Sequence, residues 1–441
     1  MGEEVPEKYR RSHQFSERAQ RVIPAGTQTF SKAPTSFAGN ATPLYLERGS
    51  GSHVFDVDGN EYIDYMLGLG PVTLGYDNQR VIAAAEERLQ NGPTLSLPHP
   101  VEVELSERLV DIIPAAEMVR FGKNGSDVTS AAVRLARAYT GREKVAFSGY
   151  HGWQDWYVAA TTRDRGVPDC VKELSIKFPF DDLDALQTVF EEHGDEVAAV
   201  LMEPMGTDLP DPDYLAAARD IVHENGALLV FDEMITGFRV ALGGAQEHFD
   251  VVPDLACFGK GMANGFPLSA LVGRADVMEL LADIFFSFTF GGETMSLAAS
   301  LETIEVLEDE DGIGHMWSLG QTLEAGVNDL VAEHGLVDRV SCSGLPPWTG
   351  IDFEAESDEE QLAMKSLFQQ EVAERGILFN GNQFLCLAHS PADIDATLRA
   401  YDEALGVLSS AIEDGDVRER LSGSMIQPVF SRRNAGRGED I

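Results

Sequence analysis

Short apolar runs alternate with amphipathic helical patterns along this chain of 441 residues, which predicts an α/β fold with a mostly parallel sheet covered by helices. Three observations carry that prediction. Gly226-Ala227-Leu228-Leu229-Val230-Phe231 reads as a strand apolar on both faces, as strands inside a parallel sheet are. Leu255-Ala256-Cys257-Phe258 is a second run of the same kind. Helical spacing appears between such runs, in Tyr214 to Glu224 and in Val128, Ala131, Ala132, Leu135, Ala136 and Tyr139.

In chain order, Tyr62 to Met66 begins the first extended stretch. Val119-Arg120-Phe121 then leads into a Gly-Ser turn and the helix around Val128, which Gly141 stops. Val145-Ala146-Phe147, Val197 to Met202, Ala227 to Phe231 and Leu255 to Phe258 are the next strand-like runs. From about Thr303 long polar helices dominate, broken by the strand-like Val340 to Phe353 and Phe384 to Leu387. The expected division is residues 1–55 as an N-terminal segment of a small domain, 56–302 as a large domain, 303–432 as the rest of the small domain, and 433–441 as a flexible tail.

Composition narrows the function. A net charge of -40, from 73 acidic against 33 basic residues spread along the chain, argues against nucleic acid and anionic membrane as partners. A uniformly acidic surface suits a source that accumulates salt, where self-repulsion is screened; an ordinary acidic enzyme is the alternative. No run of eighteen apolar residues predicts a membrane span, and the charged start from Met1 to Arg11 lacks a signal-peptide core, so the expected location is the cytoplasm. Cys170, Cys257, Cys342 and Cys386 lack CxxC spacing and suggest neither zinc nor a disulfide framework.

The chemistry-bearing residues stand at the ends of the apolar runs. Lys260 follows Gly259 and precedes Gly261, while Asp232 closes the run from Gly226. Open α/β sheets bind ligands at that carboxyl edge. A lysine that captures an aldehyde and an aspartate that holds a pyridine nitrogen protonated are what a pyridoxal phosphate (PLP) enzyme needs. Asn124-Gly125-Ser126-Asp127 precedes a helix and suits a phosphate, although such residues most often serve as an N-cap. Tyr150-His151-Gly152-Trp153 follows the next strand: Tyr150 could stack on a cofactor and His151 support a hydrogen-bond network, or both could be packing residues. No P-loop occurs, Gly68-Leu69-Gly70-Pro71 does not continue as G-x-G-x-x-G, and no HExxH pair supports a metal-dependent hydrolase.

The stretches DVDGNEYIDY, LGPVTLGY, NGSDVTSAAVRLARAYTGREK, GYHG, LMEP, LLVFDEMITGFR, PDLACFGKGMANGFP and LAHSPADID together resemble the class III aminotransferases of the fold-type I PLP superfamily, and within them the glutamate-1-semialdehyde 2,1-aminomutase branch. The likeness runs from Val22-Ile23-Pro24 to about Leu408. It implies a large domain with a mostly parallel seven-stranded sheet and a smaller α+β domain from both chain ends. It implies Lys260 as the Schiff-base lysine, Asp232 at the pyridine nitrogen, Gly125 and Ser126 at the phosphate, Tyr150 stacked on the ring and Ile235 beneath it, with Glu203 close by. Thr289 matches a threonine offered to the phosphate in a neighbouring subunit, which implies a homodimer with active sites at the subunit interface. The family's Gly-Thr-x-Ser-Gly-Asn-Pro reads Phe288-Thr289-Phe290-Gly291-Gly292-Glu293-Thr294 here, and where the aminomutase presents an arginine to the substrate carboxylate this chain has Lys32. Lysine neutralises a carboxylate without gripping it in a planar fork. The resemblance thus implies an aminotransferase acting on a small amino or carbonyl substrate, with the aminomutase as the alternative. A PLP-binding regulator that has lost catalysis is a third reading.

Overall fold

The computed structural model describes residues 5–428, so the tail expected at 433–441 lies outside the described residues. Two compact units appear, one from Gln79–Glu310 and the other from the residues up to Asn78 together with those from Asp311 onward.

The Gln79–Glu310 unit is built on seven strands: β1 (Met118–Gly122), β2 (Lys144–Ser148), β3 (Ser175–Lys177), β4 (Val197–Met202), β5 (Leu228–Asp232), β6 (Leu255–Phe258) and β7 (Ser269–Gly273). Their order across the sheet is β1-β7-β6-β5-β4-β2-β3. β7 runs antiparallel to both its neighbours, and every other pairing is parallel. The mostly parallel α/β fold is thus present, and its central strands β4, β5 and β6 are buried at every position. The register aligns Ser148 with Met202, Met202 with Phe231, and Asp232 with Cys257, so four neighbouring strands end level at one edge.

Helix α1 (Gly125–Thr140) starts at that edge directly after β1. Asn124 and Asp127 form a reciprocal capping box, and Gly141 ends the helix in the left-handed region at φ 70°. Its buried face, Val128, Ala131, Ala132, Leu135 and Ala136, packs in one core with Val145, Leu201, Val230 and Cys257 of the sheet. Helix α2 (Thr294–Asp309) carries ten buried residues and no charged residue in its first turn.

The other unit joins both chain regions directly. Residues 46–50, 53–56 and 61–64 form an antiparallel meander, to which 377–378 add in parallel through Ile377 and Ile63. Its second sheet holds a hairpin, 340–345 with 348–353, plus 382–384. The Ala38 N–H donates to Gln369 Oε1 at 2.6 Å, a further bond between the two regions.

Candidate active site

Asp232 is the last residue of β5 and is 4% exposed. Its Oδ2 lies 2.9 Å from His151 Nδ1, and its Oδ1 accepts the Met234 N–H at 3.1 Å. His151 is held in turn, because its Nε2 lies 3.0 Å from the Ser148 carbonyl. The ring packs edge-on to Phe147 and stacks on Trp156. A second bond fixes the loop after β2, since Thr129 Oγ1 of α1 donates to the His151 carbonyl at 3.1 Å.

Lys260 opens a short 3-10 turn, Lys260–Ala263, immediately after β6 and Gly259. Its φ of 40° lies in the left-handed region, a conformation that costs a non-glycine residue about 1–2 kcal/mol. Strain of this kind persists where surrounding structure enforces it. Burial lowers the Lys260 ammonium from its ordinary range, with Arg239 adding to that effect and Glu203 and Asp232 opposing it. Lowering the ammonium makes the free amine, the form that acts as nucleophile and base, easier to reach.

Glu203 follows β4 and accepts the Tyr150 N–H at 2.9 Å. Burial, followed by Asp232, raises its carboxyl, while His151, the Tyr150 N–H and Lys260 pull it down. The Tyr150 ring is half exposed and meets Tyr157 edge-on with ring centroids 5.4 Å apart. Burial, Asp232 and Glu203 all raise the Tyr150 hydroxyl, which therefore stays protonated.

Gly125 is the first residue of a sixteen-residue helix, whose first N–H groups have no partners within the helix and favour an anion. A side chain at Gly125 would crowd Met234 Sδ at 2.9 Å, and one at Gly259 would meet the same sulfur at 2.7 Å. Ser126 is buried, and its Oγ accepts the Trp153 N–H at 3.3 Å. Gly152 has φ 107°, and a Cβ there would collide with Ser126 Oγ. A lysine, an aspartate, a helix start and glycines with no room for a Cβ fit a flat, phosphorylated aldehyde such as PLP.

His151, Asp232, Glu203, Tyr150 and Ser126 are thus linked through hydrogen bonds to the loop after β2, Lys260 feels the charges of Asp232 and Glu203, and Gly125 begins α1 beside Met234, all inside the Gln79–Glu310 unit. Ile235 is part-buried, three residues past Asp232. Thr289 stands elsewhere in this unit, exposed in a turn beside a hollow of about 570 Å³ lined also by Thr94, Leu97, Arg120, Phe121 and Phe288. Lys32 belongs to the other unit. It is exposed at the end of the Phe30–Lys32 turn and borders a cavity of about 320 Å³ with Tyr45, Asp64, Met66 and Tyr76. Asp64 is raised by burial, against bonds from Tyr76, Met66 and Leu67 and the charge of Lys32.

Met234 and Thr129 shape the site without having been singled out by sequence; the signal available was Met234's place two residues after Asp232. Among the described residues no cluster of three His, Cys, Asp or Glu side chains could hold a metal, and no helix is long and apolar enough to cross a membrane.

Residues 36–390 match the family model for class-III aminotransferases. A glutamate-1-semialdehyde 2,1-aminomutase of Halobacterium salinarum is 37% identical, over 89% of this chain and 99% of its own length. A 3-aminobutyryl-CoA aminotransferase of Cloacimonas acidaminovorans is 34% identical, over 90% of this chain and 97% of its own. Among solved structures, the FumI protein of Sphingopyxis sp. MTA144 in a PLP form superposes with a TM-score of 0.85 at 31% identity, covering 92% of this chain and 97% of that one.

Proposed function

The chain belongs to the class-III aminotransferase family, whose members are PLP-dependent, and on that premise we propose that it moves an amino group from a small amine to a separate small carbonyl compound. One juxtaposition supports the reading: a lysine that burial drives towards neutrality stands at the same sheet edge as the Asp232–His151 pair and the start of α1.

Bound there, PLP supplies an aldehyde that captures amines and a ring that accepts electrons. Lys260, as a free amine, would be the base that takes the proton from the substrate carbon beside nitrogen and holds it for return. Asp232 places a carboxylate at the ring nitrogen, and His151 keeps that carboxylate from rotating away. Gly125 and Ser126 would hold the phosphate, and Tyr150, Ile235 and Glu203 would line the ring. Thr289 serves the phosphate of a partner subunit, which makes the working form a homodimer. Lys32 neutralises a substrate carboxylate, and the cell compartment is the cytoplasm.

Intramolecular transfer is the second reading, favoured by the similarity to the aminomutase of Halobacterium salinarum. Lys32 weighs against it, because an ammonium holds a carboxylate without the two-point grip that would keep one molecule in register through both halves of a reaction. The deciding experiment supplies glutamate-1-semialdehyde alone and then a panel of amines with and without 2-oxoacid acceptors, with Lys260→Ala as the blank. Turnover that requires an added acceptor supports the proposal. Formation of 5-aminolevulinate without any acceptor replaces it with the aminomutase reading, and turnover by Lys260→Ala defeats both.

A further inference from the structure

Glu293 lies in the segment where this chain departs from the family's Gly-Thr-x-Ser-Gly-Asn-Pro pattern, and its partner is Lys123, the residue immediately ahead of Asn124-Gly125-Ser126. Lys123 Nζ and Glu293 Oε2 are 2.9 Å apart, with side chains 14% and 11% exposed. Glu293 is also the N-cap of α2: Oε1 accepts the Met295 N–H at 2.6 Å, and Oε2 accepts the Ser296 N–H at 3.2 Å and its hydroxyl at 2.6 Å. Burial works to raise this carboxyl, but the bonds from Ser296, Lys123 and Met295 outweigh it and hold the group below its ordinary range.

Two successive turns connect Glu293 to Thr289, since the Glu293 N–H donates to the Phe290 carbonyl and the Gly291 N–H to the Phe288 carbonyl, each at 3.2 Å. On the other side, the Lys123 N–H donates to Asp127 Oδ2 at 3.1 Å, the oxygen that also accepts from Asn124 in the α1 cap. One largely buried ion pair therefore ties the turn at Gly125 and Ser126 to the turn that carries Thr289.

We propose that Lys123 and Glu293 are positioning residues for the phosphate seat at Gly125 and Ser126, bracing that turn against the turn that carries Thr289 and cancelling each other's charge so that directional N–H and hydroxyl donors hold the phosphate. The proposal rests on the assignment of Gly125 and Ser126 to that phosphate. Without Lys123, an unpaired carboxylate is left beside the seat and repels a dianion. Without the Glu293 charge, the ammonium acts unopposed and attracts it. The two substitutions therefore act in opposite directions on anything bearing a phosphate, and neither acts on the unphosphorylated aldehyde.

The test titrates the apo forms of the full-length protein with PLP and with pyridoxal, following capture of the aldehyde by absorbance, and takes the ratio of the two affinities. Lys123→Met is expected to lower that ratio about tenfold, which corresponds to about 1.4 kcal/mol. Lys123→Arg should restore most of it, and Glu293→Gln should raise it. Melting of each apo form identifies any variant that has not folded, and the remaining variants still decide the matter. An unchanged ratio in Lys123→Met, equal loss of both aldehydes, or a fall in Glu293→Gln overturns the proposal. Ser126→Ala separates this outcome from failure of the underlying assignment: if it too leaves the ratio unchanged, the seat itself has been misplaced.

Discussion

Glu203 and Lys260 have opposite charges, yet burial moves each towards its neutral form, raising the carboxyl and lowering the ammonium. Desolvation outweighs their attraction at both groups. For Glu203 this fixes a dependence of stability on pH. Its folded pKa lies above the unfolded one, so above the ordinary carboxylate range, about pH 4.3, the folded state holds a proton that the unfolded chain releases. The folded form is then penalised increasingly until pH passes the raised value. Glu203→Gln removes the charge and keeps an oxygen for the Tyr150 N–H. The variant should melt higher than the parent at alkaline pH, with the difference vanishing as pH falls towards 4. Apo-protein melts across that range check this, and a difference independent of pH would show that the carboxyl is not raised. Such pairing was only half legible in the sequence. Lys260 and Asp232 stand out because each ends an apolar run, whereas Lys123 and Glu293 are separated by 170 residues and carry no local pattern.

The loop after β2 works as an element because two of its residues are pinned from different sides, His151 by Thr129 and Asp232, and Trp153 by Ser126. Gly152 between them makes the close approach to Ser126 with φ 107°. Gly152→Ala places a methyl where Ser126 Oγ stands, in a backbone region that costs a non-glycine residue about 1–2 kcal/mol. The variant should lose about that much stability in denaturant titration and bind PLP more weakly than pyridoxal by comparison with the parent, because Ser126 moves. Unaltered affinity for both would remove Ser126 from the cofactor's seat. The helices and central strands of this unit were legible because burial on both faces leaves uninterrupted apolar runs, as in β5 and β6, and because Gly141 and the capping residues mark the ends of α1. β7 escaped notice, since Ser269-Ala270-Leu271-Val272-Gly273 begins and ends in small residues and is preceded by Pro267-Leu268. The three-residue β3 offers too few positions for any period to show, and the stretch read as continuous from Val340 to Phe353 is two strands folded back at Pro346-Pro347.

At the scale of the whole molecule the dominant fact is a charge of -40, which no local motif explains. Many of its carboxylates are solvent-exposed, as at Asp195, Asp169 and Asp111, where even those with an arginine or lysine nearby gain little from it. Repulsion among so many like charges acts across the whole surface, and its reach is set by the Debye length, about 10 Å at 0.1 M salt and about 3 Å at 1 M. At low salt each carboxylate therefore opposes many others, and at molar salt only its nearest neighbours. The protein should gain stability steeply as potassium chloride rises from 0.1 M to 2 M, and it should be marginal at the low end. Chloride is the right salt for the measurement, because sulfate strengthens apolar burial in any protein and would raise the melting temperature without regard to charge. A melting temperature that does not change with potassium chloride would mean that the acidic residues are spaced widely enough for water alone to screen them, and the adaptation to a salt-rich interior would have to be abandoned.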